Sequence, residues 1–437
     1  MAPDARQSAC PGLLHIVPAL DAGLCRIRLP GGVLTAEQAH ALAAAASRHA
    51  SGIIEATNRA NLQLRGVTAG HESALIEALL AAGLGPQAGA GSADARDNVR
   101  NVMQSPLAGR DEGTLIDTRP LTADLLTHLQ SVPMFAALSP KFCILFDGGE
   151  ALAATDHPHD IWLSALPADA LGPRFALGLA GCPGIEGMLI SVRPDQVIAT
   201  VDALLHAFLR LAGPDQQRMR QLLTTHSAAD ILQQAQTQLG CEGKPDLSAW
   251  PRQPACGALQ VGIHAQAQAS GLYYVGARLP LGRMTAAQLH ALADLSHGVV
   301  HFTPWQGVLL PDLSPLAAEI MATELRQLGL LTDWQSPLTR LIACAGSAGC
   351  VKSQADVKTD AVALAGLLTV PRTVHLSGCP RSCAAAHTAP WTLLAVSPGH
   401  YDLYQRSAEG RFGTRLAQQL NVEQAAGVLN RQPASPD

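Results

Sequence analysis

An internal repeat limits the folds open to this chain of 437 residues more than any other feature. Residues 28–43, RLPGGVLTAEQAHALA, align without gaps on residues 278–293, RLPLGRMTAAQLHALA, and eleven of the sixteen positions are identical. The shared Arg-Leu-Pro, Thr and Gln-x-His positions stay in register, which an Ala/Leu-rich composition would not produce by chance. The repeat therefore indicates a duplication, and we expect two halves of one design.

Both copies of the repeat predict the same local structure. In each, a threonine (Thr35 or Thr285) follows a turn and precedes an amphipathic run, which is typical of a helix N-cap. Strand-like runs lie at 24–29 and 61–66 in the first copy and at 273–279 and 307–311 in the second. Each unit is thus β–α–β, and we expect the two units to pair into one sheet.

A second, weaker sequence similarity follows each copy of the repeat and extends the duplication. Residues 100–109 correspond to 340–349, and residues 139–149 correspond to 370–379. A stretch rich in Pro, Gly and charge separates the halves and is typical of a linker. The predicted units are 10–75, 95–235, the linker 240–256, 257–333 and 334–430.

Composition and charge narrow the class of protein. Hydrophobic residues make up 48% of the chain and charged residues 15%, which describes a globular protein with a core. The net charge of −5 argues against a nucleic-acid partner, so an anionic ligand would need a local basic site. The first residues lack an apolar signal core and no run of eighteen apolar residues occurs, so we expect a cytoplasmic protein without a membrane partner.

Four cysteines form two tight pairs near the C-terminus. Cys344 and Cys350 have C-x5-C spacing, and Cys379 and Cys383 have C-x3-C spacing. The first spacing is wide for structural zinc, and its Gly/Ala/Ser loop would let backbone amides approach an inorganic sulfide, so the pattern favours a [4Fe-4S] cluster over zinc or buried free thiols. The remaining cysteines are interpreted as small buried side chains: Cys10, Cys25, Cys143, Cys182, Cys241 and Cys256.

The cysteine pattern after two β–α–β repeats resembles the sulfite/nitrite reductase superfamily. Within it, residues 9–32, 51–66 and 374–384 are most similar to the precorrin-3B synthase family of the oxygen-dependent cobalamin pathway. The resemblance implies a duplicated α+β fold with two ferredoxin-like half-domains and two α/β domains for redox chemistry and tetrapyrrole binding. It also implies that Cys344, Cys350, Cys379 and Cys383 hold one [4Fe-4S] cluster. The sequence CPRSC at 379–383 departs towards the reductases, whose last cysteine also bridges to a siroheme iron.

A basic surface is predicted in the first half. Strand alternation places Asn61, Gln63 and Arg65 on one face of their strand and Arg26 with Arg28 on one face of theirs. The two strands together offer a polar, cationic face, which is either a solvated surface or an anion-binding one. The resemblance implies the second, a groove for tetrapyrrole carboxylates formed by Arg28, Arg59, Gln63, Arg65, Arg100 and Lys141. The reductases place a second lysine where this chain has Cys143, so the site for sulfite or nitrite looks incomplete.

The resemblance implies an oxidoreductase, a monooxygenase that hydroxylates precorrin-3A with O2 and forms a γ-lactone. Such an enzyme would use a mononuclear non-haem iron, for which His157 and His159 are candidates, although an exposed turn is the plainer interpretation. His375 and His387 flank the cluster loop and are candidates for donors to sulfide or substrate. Electrons derived from NADH would come from a separate donor protein, since no G-x-G-x-x-G follows a strand.

Two other functions stay open at this point. A siroheme-dependent sulfite or nitrite reductase would retain a haem chromophore and need another cation in place of the missing lysine. A non-catalytic iron–sulfur or zinc protein would have no affinity for a tetrapyrrole, and it leaves the basic face unexplained. The catalytic residues themselves are not predicted.

Overall fold

The computed structural model describes residues 10–89, 91–169, 172–185, 187–239, 252–267, 270–296 and 298–433. Its strands are β1 Val17–Ala19, β2 Ala22–Ile27, β3 Val33–Thr35, β4 Ile53–Ala56, β5 Leu62–Val67, β6 Val102–Gln104, β7 Ile144–Asp147, β8 Ile161–Asp169, β9 Gly172–Leu179, β10 Ile190–Val192, β11 Gly262–Ala265, β12 Tyr273–Arg278, β13 Arg283–Thr285, β14 Val299–Phe302, β15 Gly307–Leu313, β16 Leu341–Ala343, β17 Val374–Ser377, β18 Trp391–Ser397, β19 His400–Gln405 and β20 Thr414–Leu420. Its α-helices are α1 Ala36–His49, α2 Glu72–Ala81, α3 Ala93–Asn98, α4 Arg119–Ser131, α5 Val197–Leu211, α6 Met219–Leu222, α7 Ala228–Leu239, α8 Ala286–Leu295, α9 Pro315–Gln327, α10 Val357–Leu367 and α11 Val422–Arg431.

Two antiparallel sheets carry the repeat, and each is completed by a strand from the other half. The first has the order β1-β2-β5-β4-β13 and the second β11-β12-β15-β14-β3. Arg283 to Thr285 therefore pair with Glu55 to Ile53, and Val33 to Thr35 pair with His301 to Val299. The expectation of one shared sheet was wrong, because the short strand before each helix crosses to the neighbouring unit.

The helix starts predicted at the two threonines are confirmed. The Thr35 hydroxyl accepts from the Gln38 backbone N–H at 3.1 Å while the Gln38 side chain accepts from the Thr35 N–H. Thr285 and Gln288 repeat this capping box at the start of α8. The helices α1 and α8 pack against each other, and one hydrophobic core takes buried residues from both repeat units.

The other two sheets share a second topology. Their orders are β10-β9-β8-β7-β6 and β16-β17-β18-β19-β20. In each sheet the first three strands in sequence run parallel, the fourth runs antiparallel to the third, and the fifth runs antiparallel to the fourth. This agreement matches the weaker sequence similarity, and the duplicated α+β fold class is confirmed. The unit boundaries themselves stay predictions.

Part of the predicted linker, 240–251 with Cys241, lies outside the described residues. Beside it, the Arg252 guanidinium forms an ion pair with the buried carboxylate of Asp147 at 2.9 Å. Among the described helices, none has both the length and the apolarity needed to cross a bilayer. The cytoplasmic location stays a prediction.

Candidate functional site

The cysteine pairs lie at one edge of the last sheet. Cys344 follows β16 directly, and Cys379 comes two residues after β17. Because β16 and β17 are parallel, their carboxyl ends meet at the same edge, which brings two distant segments of sequence together. The Gly378 backbone N–H donates to Cys344 Sγ at 3.4 Å across this junction.

All four thiols are free, and the other three lie near enough to Cys383 to act on its ionisation. Burial, and then the neighbouring Cys379, Cys344 and Cys350, raise the pKa of the Cys383 thiol. Four adjacent thiolates repel one another, so their joint ionisation requires a compensating cation. An iron–sulfur cluster supplies that charge, and the donor set fits one.

The loops around the thiols have glycines where a side chain has no room. A Cβ on Gly378 would lie 1.8 Å from Ser353 Oγ, and one on Gly349 would lie 2.4 Å from a guanidinium nitrogen of Arg65. Gly346 has φ +72°, which favours glycine. These glycines let Ser353 and Arg65 approach the loops closely, and the predicted approach of loop amides to a sulfide stays a prediction.

Two contacts tie the first repeat unit to the cysteine loops. Arg65 Nη2 donates to the Gly349 carbonyl at 2.7 Å, and Asn58 Nδ2 donates to the Cys383 carbonyl at 3.4 Å. Arg65 is buried and also pairs with Asp21 at 2.6 Å and Glu55 at 3.5 Å. Its charge is neutralised within the protein and its contact with Gly349 supports the loop, while its role toward a ligand carboxylate stays a prediction.

Two further arginines predicted for the groove form ion pairs with a buried carboxylate of the protein. Arg28 is 1% exposed and pairs with Asp97, and its Nη2 donates to Asn98 Oδ1 at 2.8 Å. Arg100 pairs with the other oxygen of Asp97 at 3.0 Å and donates to the Leu84 carbonyl. Since Asp97 is fully buried, both cations serve to neutralise it. Their predicted role in holding a tetrapyrrole finds no support in these contacts.

Arg26 and Arg59 differ from the three arginines described above, because their guanidinium groups contact neutral polar groups and not carboxylates. Arg26 Nη2 lies 2.7 Å from the side-chain oxygen of Gln63 in the amide orientation that satisfies both groups. Arg59 Nη1 donates to the Lys141 carbonyl at 2.9 Å. Burial, and then the charge of Arg28, lower the pKa of Arg26 to about 10, and burial lowers that of Arg59. An anion would relieve the cost of these desolvated charges.

Three more features complete this cationic face. The charge of Cys383 acts on the pKa of Arg26, which brings the cluster loop near this arginine. The Lys141 side chain is exposed beside Arg59. Gln63 stands opposite Arg26 in the β2–β5 ladder. Arg26 was placed on the basic face by strand alternation but not selected as a site residue.

The position of the missing lysine is apolar and tightly packed. Cys143 is 1% exposed and packs with Met103, Leu145 and Trp162, and burial raises the pKa of its thiol to about 11. A neighbouring cation, Arg218, already contacts both carboxylate oxygens of Asp160 at 2.9 and 2.8 Å. At Cys143 the site therefore presents a neutral thiol.

The histidines separate into two environments. His157 is buried, and its Nδ1 lies 2.7 Å from Asp156 Oδ1, while His387 Nε2 lies 3.7 Å from Asp156 Oδ2. One ligand atom from each of these three residues lies within 4.8 Å of the others. His159 is not part of this trio: its Nε2 lies 3.3 Å from the Met103 sulfur, and burial, and then the charge of the nearby His157, lower its pKa well below the usual value.

The carboxylate of this trio is ionised in place. Burial opposes ionisation of Asp156, but the hydrogen bond and charge of His157 outweigh it and lower its pKa to about 2. Two imidazoles and one carboxylate form the facial ligand type of non-haem iron. His387 follows Cys383 by four residues, so the trio adjoins the cysteine loop. His387 was noted as a loop residue, but its pairing with Asp156 across the fold leaves no sequence signal.

The other singled-out residues take ordinary positions. His375 is buried on β17, with Nδ1 3.4 Å from Ser382 Oγ, and burial lowers its pKa to about 4. Cys25 and Cys182 are buried as predicted, while Cys10 is half-buried and Cys256 is exposed. The interpretation as buried side chains is therefore wrong for Cys256.

Two family models match the chain. The nitrite/sulfite reductase ferredoxin-like half domain matches residues 21–82 and 264–328, which are the two repeat units. The nitrite and sulphite reductase 4Fe-4S domain matches residues 95–242. The second range contains the sheet without the clustered cysteines, and it supports an iron–sulfur protein without testing the four ligands.

Curated relatives lead to the same family. The chain is 30% identical to a chloroplastic ferredoxin–nitrite reductase of Zea mays, with 84% of this chain and 68% of that one covered. It is 30% identical to the ferredoxin–nitrite reductase of Synechococcus elongatus, with coverages of 85% and 76%. The chain belongs to the nitrite and sulfite reductase family. These relatives are enzymes of the oxidoreductase type.

A member with a different reaction is also close. A precorrin-3B synthase of Sinorhizobium sp is 28% identical, and the alignment covers 93% of this chain and 84% of that one. The resemblance predicted from the sequence is thus confirmed at the level of the superfamily. Among solved structures, the NirA protein of Mycobacterium tuberculosis has the same fold, with a TM-score of 0.76, 20% identity and coverages of 94% and 80%.

Proposed function

We propose that the protein is a precorrin-3B synthase that hydroxylates precorrin-3A at carbon 20 with O2 and closes the ring A acetate onto carbon 1 as a γ-lactone. One oxygen atom of O2 enters the product, and the other leaves as water with two electrons and two protons. The observation that carries the proposal is the trio of Asp156, His157 and His387 beside the cysteine loop, a ligand set suited to oxygen chemistry.

In this proposal, Cys344, Cys350, Cys379 and Cys383 would hold a [4Fe-4S] cluster, and Asp156, His157 and His387 would hold a mononuclear iron. When bound, the cluster would supply electron transfer and the iron would supply oxygen activation. His159, predicted with His157, is left out because it contacts Met103 instead. The electron donor is a separate protein; relatives are named for ferredoxin, and a ferredoxin-type donor fed from NADH is the simplest choice.

Basic and polar side chains of the protein bind the substrate through its carboxylates. Arg26 and Arg59, with Gln63 and Lys141 beside them, bind peripheral carboxylates of the macrocycle. Each guanidinium is partly desolvated and held by a neutral group, so a carboxylate gains a charge-assisted bond without displacing an ion pair. Arg28, Arg65 and Arg100 instead neutralise buried carboxylates and position the groove.

A siroheme-dependent nitrite or sulfite reductase is the second candidate. Two relatives at 30% identity and the CPRSC sequence favour it. The packed neutral thiol at Cys143 and the pairing of Arg218 with Asp160 disfavour it, since a small anion would lack a full cationic cage.

An absorption spectrum of anaerobically purified protein, with pyridine extraction of haem, separates the two. The proposal expects the broad shoulder of an iron–sulfur cluster near 400 nm and no extractable siroheme. Stoichiometric siroheme together with nitrite or sulfite turnover would establish the reductase instead.

A further inference from the structure

The duplication brings two equivalent histidines together on the surface. His40 of α1 and His290 of α8 occupy the same position in the two copies of the repeat. Their rings meet where the two helices pack, with centroids 4.3 Å apart and planes at 69°. This contact lies on the pseudo-two-fold relation between the halves and uses none of the residues proposed for substrate or iron.

A carboxylate joins the two rings. His40 Nε2 lies 3.1 Å from Asp294 Oδ1, and His290 Nδ1 lies 3.3 Å from Asp294 Oδ2. One ligand atom of each residue falls within 4.8 Å of the others. His290 and Asp294 are one helical turn apart, so α8 presents two ligands on one face and α1 supplies the third.

The surroundings leave space for an ion and its water ligands. A surface cavity of about 370 Å³ adjoins the trio and is lined by Ala43, Ala44, Ser47 and Ala287, which are all small. The three ligand side chains are 35%, 58% and 61% exposed for His40, His290 and Asp294, so an ion can enter from solvent. Zinc and cobalt accept two imidazoles and a carboxylate with water in the remaining position.

We propose that His40, His290 and Asp294 bind a divalent transition-metal ion, zinc by ligand type, that joins the two halves of the protein. The ion would be held by both helices at once, so its binding stabilises their packing by an amount that grows with the logarithm of its free concentration above the dissociation constant. The alternative is a pair of surface ion pairs between histidine and aspartate, which contribute little to stability.

The test is a Co²⁺ titration of the protein carrying its iron–sulfur cluster, followed by visible absorption and equilibrium dialysis. The wild type should bind one further equivalent of cobalt compared with His40→Ala and Asp294→Asn, or bind that equivalent at least roughly tenfold more tightly, since even outer-shell changes have that effect. Any cobalt taken up by Asp156, His157 and His387 is common to all these proteins and cancels in the difference. Zn²⁺ should raise the melting temperature of the wild type more than that of these variants. His206→Ala removes a similar histidine, one helical turn from Asp202 on α5, and should leave the equivalent in place.

A gain of affinity provides a second, independent readout. Ala44 is exposed and is the counterpart of Asp294 in the first copy of the repeat, so Ala44→Asp adds the symmetry-related carboxylate. That variant should bind cobalt more tightly than the wild type. Equal cobalt stoichiometry and affinity in the wild type, His40→Ala, Asp294→Asn and Ala44→Asp would overturn the proposal and leave an ion pair alone.

Discussion

Arg65 Nη2 donates a hydrogen bond of 2.7 Å to the carbonyl of Gly349, next to Cys350 in the cysteine loop. This contact joins the first repeat unit to a loop 284 residues further along the chain. The arginine is also held by ion pairs with Asp21 and Glu55, which orient its guanidinium group toward the loop. The cluster loop is thus supported by the half of the protein that carries the cationic face.

Arg65→Ala should loosen the cluster loop while leaving the four cysteines intact. The substitution leaves the partly exposed Asp21 without its cation, while Glu55 keeps Arg283 at 2.8 Å and Lys358 at 3.8 Å, so the expected loss of stability is about 1–3 kcal/mol. The expected result is a lower melting temperature and faster loss of iron to a chelator. Arg193→Ala, at an exposed pair with Asp195, should change neither quantity. Unchanged iron loss in Arg65→Ala would refute the supporting role.

Cys379→Ser should remove the iron and sulfide of the cluster, since three thiolates and a hydroxyl do not hold it stably. Because the loops close around the cluster, solubility should fall as well. Cys256→Ser is the matched control, as this thiol is exposed and outside the cluster loops, and its iron and sulfide should equal those of the wild type. Full iron and sulfide in Cys379→Ser would show that the ligand assignment is wrong.

Arg26→Ala and Arg59→Ala should weaken binding of precorrin-3A without affecting the cluster. A charge-assisted hydrogen bond to a carboxylate contributes about 1.5–3 kcal/mol, which is roughly a ten- to hundredfold change in dissociation constant. Arg28→Ala should instead lower the melting temperature, because it leaves the buried Asp97 with one partner fewer. Titrations followed by tryptophan fluorescence or by absorption measure the affinity for precorrin-3A. If Arg26→Ala and Arg59→Ala bound precorrin-3A as tightly as the wild type does, the two arginines would not belong to the binding site.

His387→Ala and His157→Ala should each remove one iron per chain beyond the cluster iron, with sulfide unchanged. The reason is that two imidazoles and the Asp156 carboxylate form one ligand set, and a single remaining imidazole holds iron weakly. His159→Ala is the control, since its ring contacts Met103. The ratio of iron to sulfide gives the answer, and loss of that iron in His159→Ala alone would reverse the assignment.

Glu150 should make stability depend on pH. The side chain is fully buried, and burial, followed by the charge of Asp147, raises its pKa from 4.5 to about 7. Between pH 4.5 and 7 the folded protein keeps this proton and the unfolded chain loses it, so stability falls as pH rises, by about 3 kcal/mol in all. Glu150→Gln should therefore gain melting temperature over the wild type at pH 8 more than at pH 5, whereas the exposed Glu37→Gln should not. An equal difference at both pH values would contradict the expected ionisation.

The sequence predicted the parts of the fold that depend on local pattern. The repeat placed the strands β2, β5, β12 and β15 and the helix caps at Thr35 and Thr285, since alternation and capping act over a few residues. The exchange of β3 and β13 between sheets was missed, because each is a three-residue strand whose partner is chosen by the packing of the two halves.

The sequence predicted the kinds of side chain in the site better than it predicted which individual residues form it. Arg28 was expected to share a face with Arg26, but β2 ends at Ile27, and Arg28 turns to Asp97, which lies 69 residues away. Which arginine is paired inside the protein and which is left for a ligand depends on such distant carboxylates. The same holds for Asp156 and His387, which meet only in the folded chain.

Incubation of the cluster-loaded protein with precorrin-3A, a chemical or ferredoxin reductant and ¹⁸O₂ tests the central claim most directly. Mass spectrometry of the product should show one ¹⁸O atom incorporated, with no conversion when O2 is excluded. Arg59→Ala should give the same product at a lower rate under limiting substrate. Absence of labelled product with intact cluster and bound precorrin-3A, together with reduction of nitrite or sulfite by the same preparation, would contradict the account.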